Sequence, residues 1–137
     1  MTRKVLWPRV IFGLLFALVT FLTLTPNPED AKAGFEFTRR IAKLLFHDAA
    51  LGDKVAHFLA YASLGAMGFW AEMTLFKRRR GAALGLAAYG IFLEWLQGVG
   101  GVRTPDVWDA VANGLGAVSG LVGAILLTAA IRRTWPV

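Results

Sequence analysis

The sequence predicts an all-α integral membrane protein: a four-helix bundle of membrane-spanning helices, with a short interfacial amphipathic helix between spans 1 and 2. Of its 137 residues, 56% are hydrophobic, which is more than a soluble domain of this length needs. The apolar residues collect into four runs, and short basic clusters lie between them. We therefore expect a single transmembrane domain over residues 1–137.

The four apolar runs place the predicted spans at about residues 5–24, 55–76, 81–97 and 107–131. Each approaches or exceeds the roughly 20 residues that cross a hydrocarbon core of about 30 Å. Because lipid offers no hydrogen bonds to the backbone, each span should be a helix. The first run follows basic residues, as a signal peptide does. It lacks a small-x-small cleavage site and is too long, so we interpret it as an uncleaved anchor.

The connection between the first two spans carries a helical amphipathic pattern. Its apolar face holds Phe37, Ile41, Leu44 and Leu45, and its polar face holds Arg39, Arg40, Lys43 and His47. This pattern is typical of a helix that lies in the membrane interface. The alternative is a loop that only connects two spans.

The distribution of basic residues predicts the orientation. The N-terminus, the segment 77–80 and the pair Arg132–Arg133 would share one side of the membrane, and the basic residues of the other side are spread out and balanced by acids. By the positive-inside rule, both termini should be cytoplasmic. The net charge of +6 then reflects membrane flanks and not nucleic-acid binding.

Composition also limits the chemistry and the partners. The chain has no cysteine, which excludes disulfides, thiolate zinc sites and cysteine nucleophiles. Small residues around Gly116 and Gly120 form a stripe on the last span, which indicates close helix packing inside the bundle. The sequence also allows a homo-oligomer.

Polar and ionisable side chains gather at one end of three predicted spans. They are Asp53, Lys54, His57, Glu94, Gln97, Arg103, Asp106, Asp109 and Asn113. An ionised side chain at the centre of a membrane helix costs about 2.5–3.5 kcal/mol, so packing alone does not explain them. Helical spacing puts each helix's members on one face. We predict an outward-facing polar pocket.

The residue types suggest roles within this pocket. His57, Glu94 and Asp109 are the candidate catalytic residues, since imidazole and carboxylate groups exchange protons. The candidate substrate-binding residues are Asp53, Lys54, Gln97, Arg103, Asp106 and Asn113. We assign no metal site, because Asp-x-x-Asp alone is too common to support one.

Each candidate also has a plainer interpretation. Asp53 and Asp106 could stabilise helix N-termini, and Lys54 or Arg103 could extend to the interface. A salt-bridge network that holds three helices together would explain the whole cluster without a substrate.

The same residues carry a family pattern. The segments Asp53–Phe58 (DKVAHF), Glu94–Gln97 (EWLQ) and Asp106–Gly116 (DVWDAVANGLG), with Arg103 between the last two, resemble the VanZ-like family. That family consists of small bacterial membrane proteins. Its namesake is linked to low-level teicoplanin resistance, and relatives occur near envelope-polysaccharide genes.

The resemblance implies a cell-envelope protein of the bacterial inner membrane, whose pocket binds or modifies a lipid-linked or anionic amphiphile, with glycopeptide resistance as its setting. The partners that it implies are membrane lipids or a lipid-linked envelope precursor. A proton-linked transporter and a structural scaffold are the alternatives. Whether the protein is an enzyme, and which cofactor it uses, stay open.

Overall fold

The computed structural model describes residues 3–25, 32–101 and 104–134, and this part of the chain is helical. Its α-helices are α1 (Arg3–Leu24), α2 (Lys32–Phe46), α3 (Gly52–Trp70), α4 (Arg79–Val99) and α5 (Val107–Thr134), with a short 3-10 helix at Ala49–Leu51. The predicted all-α class is confirmed over these residues.

Three of the helices are long and apolar enough to cross a membrane: Val5–Leu24, Gly81–Val99 and Val107–Thr134. Their outer surfaces expose large hydrophobic side chains such as Leu14, Leu84 and Leu126. Contiguous apolar surface of this kind is unfavourable in water and matches a lipid environment. The chain is therefore a membrane protein with at least these three candidate spans.

Helix α3 is shorter than the second predicted span, because it ends at Trp70 and not at residue 76. The N–H of Met73 then bonds to the Gly68 carbonyl. Next, Leu75 and Arg78 exchange backbone hydrogen bonds of 3.2 and 3.0 Å around Phe76 and Lys77, whose φ angles are 52° and 60°. Two positive φ angles at the centre of a turn are characteristic of type I′ turns, which favour Asn-Gly. The sequence Phe-Lys carries no such signal.

Helices α3 and α5 pack with their backbones in contact. A Cβ added to Gly116 would overlap the Phe58 carbonyl oxygen, and one added to Gly120 would overlap that of Ala62. From the other side, Gly65 meets the Ala117 carbonyl in the same way. The small-residue stripe of α5 thus lies against α3, and it brings the first turns of both helices together.

Helices α1, α3, α4 and α5 lie side by side, and the contacts at their two ends define their directions. At one end, Arg9 Nε donates to the Ala71 carbonyl at 3.0 Å, and Trp70 Nε1 donates to Thr128 at 3.2 Å. We call this the basic end. At the other, Gln97 donates to the Thr23 carbonyl. We call this the polar end.

Helix α2 lies where the amphipathic segment was predicted. Thr38 and Ala42 are buried, and Arg39 approaches the backbone of Gly52, so α2 packs on the start of α3. The predicted apolar face is largely uncovered, with Phe37, Leu44 and Leu45 exposed by 60, 78 and 62%. The described part of the protein therefore leaves that face available to lipid.

Candidate functional site

The ammonium of Lys54 lies among three carboxylates at the polar end. Its Nζ is 2.8 Å from Asp109 Oδ1 and 3.2 Å from Asp53 Oδ2, and it also donates to Asp106 Oδ2. Asp53 and Lys54 belong to the first turn of α3, whereas Asp106 immediately precedes α5 and Asp109 lies in its first turn. These side chains come within contact distance because α3 packs closely against α5.

His57 lies one helical turn beyond Asp53. Its Nδ1 is 2.9 Å from Oδ1 of Asn113, which itself lies one turn beyond Asp109. An amide oxygen only accepts hydrogen bonds, so Nδ1 carries the hydrogen in this pair. The other ring nitrogen, Nε2, points towards the carboxylates, at 3.6 Å from Asp109 Oδ2 and 4.0 Å from Asp53 Oδ1.

The two predicted site residues of α4 have different surroundings. Glu94 is 5% exposed, and its Oε2 accepts a hydrogen bond from the backbone N–H of Asp106 at 3.2 Å. It therefore positions the residue that leads into α5. Gln97 is 4% exposed and donates to the Thr23 carbonyl of α1. The structure places this amide in a helix–helix contact and not among the carboxylates.

Asp106 has the features of both plainer interpretations, because it caps a helix and also takes part in an ion pair. Its Oδ1 accepts a hydrogen bond from the N–H of Trp108 at 2.9 Å, as an N-cap does, while its Oδ2 binds Lys54. The hydrogen bond from Lys54 lowers the pKa of this carboxyl below its ordinary value, and the bond from Trp108 acts in the same direction. The carboxylate is thus ionised at neutral pH.

The cluster is buried at its base and open at one side. Asp109 and Asn113 are each 1% exposed, whereas the side chains of Lys54 and Asp106 are 26 and 34% exposed. Solvent or a ligand can therefore approach Lys54 and Asp106 first. Gly90 of α4 closes the base, since a Cβ there would lie 2.8 Å from the Asn113 side chain.

The cluster contains more acid than base. Its carboxylates are Asp53, Glu94, Asp106 and Asp109, and its cation is Lys54, which leaves a formal charge of −3 with His57 neutral. Arg103 would offset one further charge, but it lies outside the described residues. Lys54 was predicted to bind substrate, yet here its ammonium already contacts three carboxylates of the protein itself.

Two features of the structure were not among the predicted site residues. Tyr61, one turn beyond His57 on α3, is 1% exposed, and its hydroxyl has no hydrogen-bond partner within the described part of the chain. Tyr61 follows Asp53 and His57 at helical spacing, and this was the sequence feature that could have identified it. At the basic end, a cavity of about 900 Å³ lies between α1 and α4, lined by Arg9, Phe16, Glu72 and Tyr89 among others. It is separate from the polar cluster.

Comparison with known proteins identifies the family. A family model described as VanZ/LLP1 matches residues 10–128, which is most of the chain and includes the whole polar cluster. No significant match was found among curated proteins or solved structures. The match agrees with the resemblance seen in the sequence motifs. This chain belongs to the VanZ/LLP1 family.

Proposed function

We propose that the polar end binds the phosphate-bearing headgroup of a membrane amphiphile, as part of a cell-envelope function. The observation that carries this proposal is the partly open Lys54 ammonium, enclosed by Asp53, Asp106 and Asp109 at the end of otherwise apolar helices. Lipid headgroups are the polar groups that lie nearest to the ends of membrane-spanning helices.

The proposed topology has four spans, with α3 as the additional one. Its 19 residues rise about 28 Å, close to the hydrocarbon thickness, and it packs between α1 and α5. Both termini then lie in the cytoplasm, where the basic residues of the basic end belong. The polar end faces outward, and α2 lies in the outer interface with Phe37, Leu44 and Leu45 in lipid.

The charges of the cluster restrict how an anionic headgroup can bind. Lys54 is already neutralised, so a phosphate must take the place of one of its carboxylates. Asp106 is the most exposed of the three and lies before α5, whereas Asp109 is fully buried within it. We infer that the phosphate displaces Asp106 from Lys54, while Asp109 keeps the ammonium in place.

The same geometry supports a proton-transfer role for His57. Its ring is oriented by Asn113, and Nε2 faces the side of the cluster where Asp53 and Asp109 meet. If the protein modifies its ligand, His57 is the proton carrier and Asn113 holds its ring. Glu94 is then a positioning residue, because it holds the backbone of Asp106.

A transport function receives less support. The interface of α3 with α5 is closed by backbone contacts at Gly65, Gly116 and Gly120, so a solute cannot pass between these helices. A structural scaffold remains the main alternative, since the ion pairs would also hold α3 to α5. Family membership is consistent with a role in glycopeptide resistance.

Binding of a polyisoprenyl phosphate to the purified protein tests the proposal. The protein is placed in phosphatidylcholine nanodiscs with EDTA, and binding is followed by native mass spectrometry, with phosphatidylglycerol as the competing phosphate source. Asp106→Asn should tighten binding severalfold, because it frees Lys54. Glu36→Gln removes the same charge from an exposed position on α2 and should leave binding unchanged.

The outcomes distinguish a ligand-binding site from a cluster that only holds the helices together. Preference for the polyisoprenyl phosphate identifies a lipid-linked precursor, and equal competition identifies a general phospholipid site. Equal effects of Asp106→Asn and Glu36→Gln, or no binding by any variant, would contradict the proposal.

A further inference from the structure

Asp53 and Asp109 each direct their two oxygens to different partners. Asp53 Oδ2 and Asp109 Oδ1 contact the Lys54 ammonium. The remaining oxygens, Asp53 Oδ1 and Asp109 Oδ2, lie 4.0 and 3.6 Å from His57 Nε2. Both distances are longer than a hydrogen bond. The three atoms thus face one another without bonding directly.

The orientation of His57 decides which of its nitrogens can bind a ligand. Because Nδ1–H donates to Asn113, Nε2 is the ring nitrogen that faces the carboxylates, and in the neutral imidazole it carries the lone pair. The same atoms are good metal ligands, since neutral imidazole and carboxylate are the usual nitrogen and oxygen donors to divalent cations.

We propose that Asp53, His57 and Asp109 bind a divalent transition-metal cation through Asp53 Oδ1, His57 Nε2 and Asp109 Oδ2. The three residues offer donor atoms that all lie within 4.8 Å of one another. The cation would bind beside Lys54 and not in its place, because the ammonium uses the opposite oxygens.

The spacing of the donors fits such an ion. Ligands about 2.1 Å from one metal lie roughly 3.0–3.5 Å apart at octahedral or tetrahedral angles. Distances of 3.6 and 4.0 Å reach that range when the side chains move by a few tenths of an ångström. Asp53 and His57 are also i and i+4 on α3, the spacing that puts two ligands on one helix face.

The surrounding residues supply the support that metal ligands need. Asn113 fixes the tautomer of His57, and Lys54 holds the outer oxygen of each carboxylate. Residues that contact metal ligands in this way orient them and tune their affinity for the metal. Three protein ligands leave coordination positions for water or a ligand oxygen, as in catalytic rather than structural sites.

The proposal deepens the headgroup-binding function, on which it rests, and concerns the same site. With Nε2 bound to the cation, His57 is a metal ligand and no longer a proton carrier. The cluster carries a formal excess of three negative charges, so a divalent cation that removes most of this excess should strengthen phosphate binding beyond the binding seen in EDTA. The cation could also receive a phosphate oxygen directly at an open coordination position. One imidazole and two carboxylates favour Mn²⁺ or Zn²⁺ over Mg²⁺, which prefers all-oxygen ligands.

Electron paramagnetic resonance of bound Mn²⁺ tests the site, because the chain contains only two histidines, His47 and His57. With the purification tag removed, wild type should bind one Mn²⁺ and show nitrogen coupling from one imidazole. Zn²⁺ should displace the ion. His57→Gln should abolish the nitrogen coupling, whereas His47→Gln, at an exposed position, should retain it.

The carboxylate ligands are tested by affinity. Asp53→Asn and Asp109→Asn should weaken Mn²⁺ binding at least tenfold, and Glu36→Gln should not change it. Circular dichroism confirms that each variant is helical, and Asp53→Glu, which keeps the carboxylate, should restore part of the affinity. Absence of bound Mn²⁺ in wild type, or a nitrogen coupling that survives His57→Gln, would overturn the proposal.

These measurements use no amphiphile, so the two proposals fail separately. Loss of Mn²⁺ binding with polyisoprenyl phosphate binding intact overturns only the metal site. If the protein binds Mn²⁺ but no phosphate-bearing amphiphile, only the headgroup function is overturned.

Discussion

His57 on α3 and Asn113 on α5 are joined by a 2.9 Å hydrogen bond, although they lie 56 positions apart in the chain. This bond sets which nitrogen of the histidine faces the carboxylates. It therefore links the close packing of the two helices to the chemistry of the cluster.

Breaking this hydrogen bond should destabilise the protein. Asn113→Leu keeps the size of the side chain and leaves the His57 Nδ1–H unpaired, which costs about 1–3 kcal/mol. Thermal unfolding in detergent measures the loss. The double variant His57→Phe/Asn113→Leu removes both partners and should recover part of it. An unchanged melting temperature for Asn113→Leu would show that the two residues are not coupled.

Contact between α3 and α5 should tolerate no added methyl group at Gly120. Gly120→Ala would drive a Cβ into the Ala62 carbonyl and should cost about 1–3 kcal/mol through overpacking. Gly123→Ala, one turn further along α5, has nothing within 4 Å of its new Cβ. It should be neutral or stabilising by about 0.5–1 kcal/mol, since alanine favours helix. Equal effects of the two changes would contradict the described packing.

Glu94 should matter through its hydrogen bond more than through its charge. Glu94→Gln keeps an oxygen that can accept from the Asp106 N–H, so the free energy of unfolding should change by less than about 1 kcal/mol. Glu94→Leu leaves that N–H without its acceptor and should be clearly less stable. The same detergent melts compare them. A large loss for Glu94→Gln alone would show that the negative charge itself holds the helices.

The Asp106–Lys54 pair should make stability depend on pH in a defined direction. Because the pKa of Asp106 is lowered in the folded protein, its contribution is complete above about pH 4, the ordinary carboxyl pKa, and is lost as the pH falls through the folded value. The melting temperatures of wild type and Asp106→Asn should therefore differ most near neutral pH and converge in acid. High salt should reduce the difference, since the pair is partly exposed. A difference that grows in acid would reverse the assigned sign.

Single cysteines test the orientation, since the chain has none of its own. Lys43→Cys on α2 should react with an impermeant thiol reagent in intact cells, and Arg78→Cys at the basic end should react only after the cells are opened. Both positions are exposed in the structure, so accessibility within the protein does not explain a difference. Labelling of Arg78→Cys alone in intact cells would invert the protein and turn the polar end towards the cytoplasm.

The sequence by itself determined the membrane character, the helical class and most of the residues that come together at the polar end. Apolar runs of about 20 residues have few alternatives in lipid. Helical spacing is equally restrictive, and by itself it puts Asp53 with His57, and Asp109 with Asn113, on common helix faces. The small residues of α5 likewise indicated a tight interface.

Only the tertiary structure decided which partner each polar group has. Gln97 shares a helix with Glu94, yet it bonds to α1. Lys54 meets three carboxylates, and Asp53 and Asp109 divide their oxygens between Lys54 and His57. The end of α3 at Trp70 also depends on a turn whose residues carry no local signal. Periodicity assigns a side chain to a face of its own helix. The distance and rotation between helices, here set by backbone contact at Gly116 and Gly120, determine which groups come within reach.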